Sequence, residues 1–330
     1  MMKQTKQLCE PGRRRTCVAA VVAAALALPV GTGSAQDPLD STLGPGGVVS
    51  RKVGGSPEAV AFDGTHLWVP IRNRNAVAKL RANDGALVAT YTVGERPIAV
   101  AVGAGSVWVA NMGSDDVTRL RLDGKLQATI RVGQAPGSLL YDGTYIWVGN
   151  RDDDTVTQVR ASDGVTLGSY ATGERPIGLA SDGTDIWVAN NRSGSVSRIG
   201  AGMTLSSHTI QVGTKVADGP FGLAVANGSL WVTSFFNGTV SRLRPSDGAV
   251  VATYKTGDGA SGIVYDGHAL WVVNSGEKSV TRLDPVGGAV LGVYKVGRCP
   301  LGATIAAGRL WVANSCSDSV SGVPLPLQFQ

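Results

Sequence analysis

Two short acidic runs are the first groups in this sequence whose residue types could do chemistry. The runs consist of Asp115, Asp116, Asp152, Asp153 and Asp154. Clustered carboxylates suit Ca²⁺, which prefers oxygen ligands, and Mg²⁺ shares that preference. Arg119 and Arg151 lie close by in sequence, and acidic loops are commonly just solvated. We expect a protein that needs no cofactor, with a Ca²⁺ or Mg²⁺ site at these runs as the alternative.

Histidine, the commonest general base, occurs only at positions 66, 208 and 268. The sequence contains no nucleophile elbow, no His-Glu-x-x-His zinc motif, no Cys-x-x-Cys pair and no phosphate-binding loop. These absences argue against an enzyme. An acid–base pair assembled from distant parts of the chain would, however, leave no such motif.

The first 35 residues have the layout of a secretory signal peptide. Basic residues at 13–15 precede an apolar stretch from Val18 to Val30, and small residues follow up to Ala35, after which we expect cleavage. The apolar stretch is too short to remain as a membrane anchor. The pattern predicts export to the periplasm or the extracellular space, by the Sec or the twin-arginine route, and no membrane span in the mature chain.

Cleavage would remove Cys9 and Cys17 and leave Cys299 and Cys316. Two cysteines in an exported protein favour a disulfide over a metal site, because a metal ion would need further ligands. We therefore predict a bridge between Cys299 and Cys316.

The composition is that of a folded protein with a large core. The chain has 330 residues, of which 43% are hydrophobic and 17% are charged, so disorder is excluded. Residues 1–35 carry four of the five net positive charges, which leaves +1 for the remainder. That balance argues against nucleic acid as a partner.

A repeat of about 40 residues organises the rest of the chain. Each unit contains one tryptophan that is followed by valine, at positions 68, 108, 147, 187, 231, 271 and 311. In the second unit, apolar runs bounded by turn residues predict four strands, at 97–102, 106–110, 117–122 and 126–132. Four short strands per unit are typical of a propeller blade, so the sequence predicts an all-β, seven-bladed β-propeller.

The turns and the ends of the repeat give the predicted blades an orientation and a closure. Asp-Gly and Asn-Gly pairs separate first from second strands and third from fourth strands, as at Asp63-Gly64 and Asp84-Gly85. Both hairpins fall on one face, here called the bottom, so the top face carries the other loops. The last unit lacks a fourth strand, and residues 48–54 resemble one. We predict that they complete the last blade, giving a leader (1–35), a flexible segment (36–47), a propeller (48–323) and a tail (324–330).

One position of the first strand is small in every unit, which predicts close approach around a central axis. Its residues are Ala59, Ala99, Ser138, Gly178, Gly222, Gly262 and Gly302. The tryptophans are expected to pack between neighbouring blades.

Two sets of polar residues map to the top face. Five asparagines follow the second strand, at 111, 150, 190, 274 and 314. They either bond the backbone at the start of a turn or form a polar ring that binds a ligand. Arginine side chains that could bind an anion, or pair with the acidic runs, are Arg72, Arg74, Arg96, Arg175, Arg192 and Arg298.

Blade five departs from the repeat. The loop from Val212 to Pro220 is four residues longer than its counterpart before Pro97, and it contains Lys215 and Asp218. The next top loop contains Phe235 and Phe236, where other blades have polar residues. The phenylalanines are either a contact surface for a partner or a small core covered by the longer loop.

The unit Gly173–Asn190, which reads Gly-Glu-Arg-Pro-Ile-Gly-Leu-Ala-Ser-Asp-Gly-Thr-Asp-Ile-Trp-Val-Ala-Asn, resembles the YVTN-type β-propeller repeat. The resemblance covers roughly residues 48–323. It implies the propeller fold and an exported location, and it leaves the activity open.

A second resemblance is to the streptogramin (virginiamycin B) lyase family of seven-bladed propellers. That resemblance implies a carbon–oxygen lyase that uses histidine, glutamate and Mg²⁺ in the central cavity. Those blades typically show Trp-Phe-Thr-Glu where this chain shows Trp-Val-Ala-Asn, and no unit here has the glutamate.

We therefore expect a monomeric, exported, non-catalytic module that binds a protein, peptide or glycan through its top face. The residues expected to contact this partner are Asn190, Arg175, Arg192, Lys215, Asp218, Phe235 and Phe236. The alternative is a lyase-like or hydrolase-like enzyme with a metal ion at the central channel. The sequence does not identify the partner or the physiological process.

Overall fold

The computed structural model describes residues 47–200, 207–211 and 219–326. They form seven four-stranded antiparallel sheets, which confirms the predicted all-β, seven-bladed propeller. The leader 1–35, nearly all of the segment 36–47, and residues 327–330 of the tail lie outside the described residues, as do Lys215 and Asp218. Within the described ranges, no helix is long and apolar enough to cross a membrane.

The strands follow the predicted repeat closely. Blades one and two comprise β2 (Ala61–Phe62), β3 (His66–Ile71), β4 (Ala76–Arg81), β5 (Leu87–Thr92), β6 (Pro97–Gly103), β7 (Ser106–Asn111), β8 (Asp116–Arg121) and β9 (Leu126–Arg131). Blades three and four comprise β10 (Pro136–Tyr141), β11 (Tyr145–Asn150), β12 (Thr155–Arg160), β13 (Thr166–Ala171), β14 (Pro176–Ser181), β15 (Asp185–Asn190), β16 (Ser195–Gly200) and β17 (Ser207–Gln211). Blades five and six comprise β18 (Pro220–Ala226), β19 (Ser229–Ser234), β20 (Thr239–Leu243), β21 (Val250–Lys255), β22 (Ala260–Tyr265), β23 (Leu270–Asn274), β24 (Ser279–Leu283) and β25 (Val290–Lys295).

Blade seven is built from both ends of the described chain. It contains β26 (Pro300–Ala306), β27 (Arg309–Asn314), β28 (Ser319–Pro324) and the N-terminal strand β1 (Val49–Lys52). Strand β1 pairs antiparallel with β28, with Val49 opposite Gly322 and Lys52 opposite Ser319. The predicted closure is confirmed, and it covers an edge that would otherwise be unpaired.

The interfaces between blades hold the core. All seven tryptophans are at most 2% exposed, and the apolar clusters join residues of neighbouring blades, as where Trp187 of blade four packs with Leu223 and Leu230 of blade five. Such burial supplies most of the stabilising free energy of a fold of this kind. The tryptophans therefore hold one blade against the next, as predicted.

The Asp-Gly pairs between first and second strands work differently from the sequence-based expectation. At the Asp142-Gly143 pair of blade three, only the glycine has a positive φ, and Asp142 instead accepts hydrogen bonds from the backbone of the turn. Its other oxygen accepts a hydrogen bond from Trp147 Nε1 at 2.6 Å. Blades one, four and six repeat this arrangement. The aspartate thus fixes the hairpin and also pairs the indole nitrogen of the buried tryptophan.

The small residues at the hub are explained by backbone contacts between blades. A Cβ added at Gly222 would lie 2.5 Å from the carbonyl oxygen of Ser261 in the next blade. A Cβ added at Gly302 would lie 2.7 Å from the carbonyl oxygen of Glu58. The first strands of blades five, six, seven and one therefore approach each other at distances that glycine permits.

Candidate functional site

Two positions in each blade face the central axis at the top of the propeller. One is the residue after the proline that opens each unit (an alanine in blade six), and the other is the residue directly after the second strand. Ile177, Phe221, Phe235 and Leu301 occupy these positions in blades four, five and seven and pack together across the axis. We call the region defined by these positions the hub mouth. Its members are Glu58, Arg72, Ile98, Met112, Gly137, Arg151, Ile177, Asn191, Phe221, Phe235, Ser261, Ser275, Leu301 and Ser315.

One side of the hub mouth is aromatic. Phe221, which is 6% exposed, stacks on Phe235 with ring centroids 5.4 Å apart. Phe236 meets Phe235 edge-on at 5.6 Å, yet Phe236 itself is 58% exposed. Each of the two sequence-based alternatives therefore applies to one of the phenylalanines. Phe235 belongs to a small core, and Phe236 lies on the surface.

The opposite side of the hub mouth contains a buried ion pair. Glu58 lies three residues before β2, the first strand of blade one, and is 2% exposed. Arg72 Nη1 donates a hydrogen bond to Glu58 Oε1 at 3.0 Å, while Glu58 Oε2 has no hydrogen-bond partner. Burial raises the pKa of Glu58 to about 7, and the opposing attraction of Arg72 does not cancel this effect. Glu58 is therefore a carboxyl group poised to change charge near neutral pH.

A second buried charge, Arg151, lies two blades away. It is 3% exposed, and it fits because Gly137 lacks a side chain, since a Cβ there would collide with Arg151 Cδ. Its Nη1 donates to the sulfur of Met112 at 3.3 Å, a weak acceptor, and its Nε has no hydrogen-bond partner. Burial is the main cause, and repulsion from Arg175 a smaller one, that lowers the pKa of Arg151 to about 10. The Arg151 side chain therefore remains cationic at neutral pH.

A cleft of about 230 Å³ opens beside Arg151 between blades two and three. Its lining is mainly polar and contains both signs of charge. The lining residues are Arg96, Met112, Asp115, Gln134, Ala135, Arg151 and Asp152. Arg72, Arg96 and Arg151 are all close enough to Glu58 to affect its titration, so the cleft and the buried ion pair belong to one charged cluster.

Three of the six top-face arginines have partners outside the acidic runs. Arg72 pairs with Glu58, and Arg192 Nε lies 3.5 Å from Glu174 Oε2 on the exposed surface of blade four. Arg298 donates to the carbonyl oxygen of Cys316 at 2.9 Å. The partners of these three arginines are two glutamates and a backbone carbonyl group.

The acidic runs serve the backbone of the top loops. Asp115 and Asp154, both at positive φ, accept hydrogen bonds from the amides of the following loops, at Ala135 and Arg175. Asp153 accepts a hydrogen bond from the Gln134 amide, and Asp116 accepts one from the side chain of Asn111. Asp152 lines the cleft. Across residues 47–200, 207–211 and 219–326, no group of three or more acidic, histidine or cysteine side chains could hold a metal ion.

The five asparagines do not form a polar ring at the surface. Each is fully buried, and each donates to side chains of the third strand, as Asn190 does to Ser195 and Ser197 at 3.1 and 2.9 Å. Each also packs against a glycine in the loop that enters its blade, which for Asn190 is Gly173. Asn190 therefore contributes no exposed atoms to the top face.

The predicted disulfide is present. Cys299 and Cys316 are bridged at the top of blade seven, with Cα atoms 5.3 Å apart. A disulfide is compatible with an oxidising, exported location.

The histidines lie away from the hub mouth. His66 is at the bottom end of β3, and His268 lies exposed in a bottom hairpin. His208 lies in β17, the outermost strand of blade four. A catalytic Mg²⁺ of the lyase kind does not fit here, because Glu58 lies among arginines and no histidine accompanies it.

Two of the central residues of this cluster were missed by the sequence analysis. Glu58 was not singled out, and Arg151 was noted only as a neighbour of the acidic run. A signal for Glu58 was present, since its position in the other six blades holds Ile98, Gly137, Ile177, Phe221, Ser261 and Leu301, none of which is charged. A charged residue at a position that faces the axis is unusual enough to mark a site.

Solved structures share this fold at low sequence identity. Virginiamycin B lyase from Staphylococcus aureus matches with a TM-score of 0.72 and 18% identity, over 84% of this chain and 99% of that chain. A streptogramin B lyase gives the same TM-score and identity over 84% and 98% of the two chains. Hydrazine synthase of Kuenenia stuttgartiensis gives 0.72 and 17%, over 83% and 96%.

These likenesses establish the fold alone, because one propeller fold hosts unrelated functions. No protein-family profile matches the chain, and no curated protein matches it. Membership of the YVTN-type repeat family therefore stays a prediction. What the chain shares with these lyases and with the hydrazine synthase is the seven-bladed propeller.

Proposed function

We propose that the protein is an exported, monomeric, non-catalytic module that binds a protein, peptide or glycan partner through the top face of blades four and five. One observation carries this proposal, the exposed Phe236 beside the hub mouth. Phe235 and Phe221 form a packed base beneath it, so Phe236 offers apolar area at little cost in conformational entropy.

The polar surroundings of Phe236 fit a contact surface. Arg175 and the exposed Arg192 lie on the neighbouring blade, and Glu174 pairs with Arg192 there. An apolar centre with a charged rim is the usual composition of a protein-binding surface. Lys215 and Asp218, which the sequence analysis also assigns to this contact, lie outside the described residues, and their part in it stays a prediction.

The proposal is tested by capture from the native cell envelope with the mature protein, residues 36–330, as bait. The Phe236→Ser variant is compared with wild type and with Leu126→Ser. Leu126 is a matched control because it is also exposed, at 65%, but lies on the outer strand of blade two. We expect Phe236→Ser to lose partners that Leu126→Ser retains. Equal capture by all three proteins would refute the assignment to this surface.

The second candidate is a lyase, favoured by the likeness of the fold to virginiamycin B lyase. The test is linearisation of a streptogramin lactone by the purified protein, with and without EDTA. Turnover that EDTA abolishes would replace the binding proposal with an enzyme. No turnover with added Mg²⁺ would exclude this lyase activity.

A further inference from the structure

The charged cluster on the other side of the hub mouth has chemistry of its own. Arg151 is buried, cationic and short of hydrogen-bond acceptors, because among the described residues its side chain donates only to the thioether sulfur of Met112 and its Nε has no partner. A buried guanidinium normally has oxygen acceptors, since burying its charge without them is costly. The structure therefore holds a donor group whose acceptor is not supplied by the described residues.

Charge in the cluster also favours an anion. Four guanidinium groups, from Arg72, Arg96, Arg151 and Arg175, interact with Glu58 or Arg151 strongly enough to shift their titration. The carboxylates that oppose them in the cluster and the cleft are Glu58, Asp115 and Asp152. Asp115 already accepts the Ala135 amide, and Glu58 is only partly ionised at neutral pH. The excess positive charge thus lies beside the cleft.

The size of the cleft limits the ligand. About 230 Å³ is below the roughly 300–1,000 Å³ that is usual for sites of drug-sized molecules. Guanidinium groups bind both carboxylate and phosphate through paired N–H donors. Asp115 and Asp152 would repel a phosphate dianion more strongly than a carboxylate monoanion.

We propose that the cleft between blades two and three binds a small carboxylate ligand, held by the guanidinium groups of Arg151 and Arg96. Arg151 donates to one oxygen from the side of its guanidinium group that lines the cleft, and Arg96 approaches from the exposed rim. The carboxylate supplies the acceptors that Met112 cannot. This site goes beyond the aromatic surface proposed above, since it uses different blades and a different chemistry.

The test is calorimetric titration of the mature protein with sodium acetate, and separately with inorganic phosphate, at constant ionic strength. We expect saturable acetate binding, weakened roughly tenfold or more in Arg151→Gln and in Arg96→Gln, because each loses a charge-assisted hydrogen bond. Arg81→Gln is the matched control, an arginine of the bottom face that pairs with Asp84. Phe236→Ser should leave acetate binding unchanged, which separates this proposal from the previous one.

Three results would overturn the proposal. They are acetate binding that does not saturate in the wild-type protein, unchanged acetate affinity in Arg96→Gln, and tighter binding of phosphate than of acetate. If Arg151→Gln lacks the near-ultraviolet circular dichroism of the folded protein, Arg96→Gln decides the matter, because the Arg96 side chain is exposed and its removal leaves no cavity.

Discussion

Replacing Gly222 by alanine tests the backbone packing at the hub. The added Cβ would lie 2.5 Å from the Ser261 carbonyl oxygen and 3.2 Å from two atoms of Ile263. The carbonyl cannot retreat freely, because it accepts a 2.6 Å hydrogen bond from Thr233 Oγ1, and that hydroxyl also accepts from the Gly222 amide at 2.7 Å. Overpacking of this kind costs roughly 1–3 kcal/mol.

The matched control is Gly168→Ala on the outer strand β13, where an added Cβ meets nothing within 4 Å. That substitution restricts the unfolded chain and should stabilise by about 0.4–1 kcal/mol. Urea unfolding monitored by tryptophan fluorescence gives both values. With a slope of about 3 kcal/mol per molar urea, Gly222→Ala should lower the midpoint by roughly 0.3–1 M. Equal midpoints for the two variants would refute the close approach of the first strands.

Four further predictions concern stability and pH. Replacing Cys299 and Cys316 together by serine should lower the free energy of unfolding by roughly 3 kcal/mol, since the bridge closes a loop with a sequence separation of 17, and urea midpoints with and without reductant should then agree for the variant. Asp142→Ala should cost about 1–3 kcal/mol and change the fluorescence of Trp147, because the indole and two turn amides lose their acceptor, whereas Asp123→Ala at an exposed hairpin should cost less. Burial raises the pKa of Glu58 from 4.5 to about 7, so its contribution to stability is complete below about pH 4.5 and is lost as the pH rises through 7. The free energy of unfolding, measured from pH 5 to pH 8, should therefore fall in the wild-type protein, and Glu58→Gln should remove this fall. The same titration should weaken acetate binding between pH 6 and pH 8, since ionised Glu58 adds a negative charge to the cluster, and a pH-independent affinity would contradict this coupling.

The fold was largely predictable because the repeat states the same information seven times. A strand boundary that is ambiguous in one unit is clear in another, and the four strands predicted for blade two agree with β6 to β9 within one or two residues. The small hub residues were also predictable, because they recur in every unit. The closing strand was predictable because the last unit lacks a fourth strand. The role of Asp142 was not, because a hydrogen bond to an indole five residues away depends on how the hairpin folds back.

The candidate site was less predictable for the opposite reason. Glu58 and Arg72 come from blade one and Arg151 comes from blade three, and only the packing of the blades around one axis brings the three side chains together. For the asparagines, the sequence left a structural role and an exposed polar ring as alternatives, and their burial excludes the exposed ring. A residue type that recurs in every unit reflects a structural requirement of the blade. A single exception, such as one glutamate where the other units have uncharged residues, is the better indicator of a functional site.

The pairing of β1 with β28 has a consequence for how the molecule is made. Residues 49–52 leave the ribosome more than 260 residues before their partners at 319–322. No shorter nascent chain can therefore complete the circle, and a contact of such high sequence separation is expected to form slowly. Until that contact forms, the edge of β28 is unpaired and can pair with strands of other chains. A molecular chaperone would therefore matter most in the period before closure.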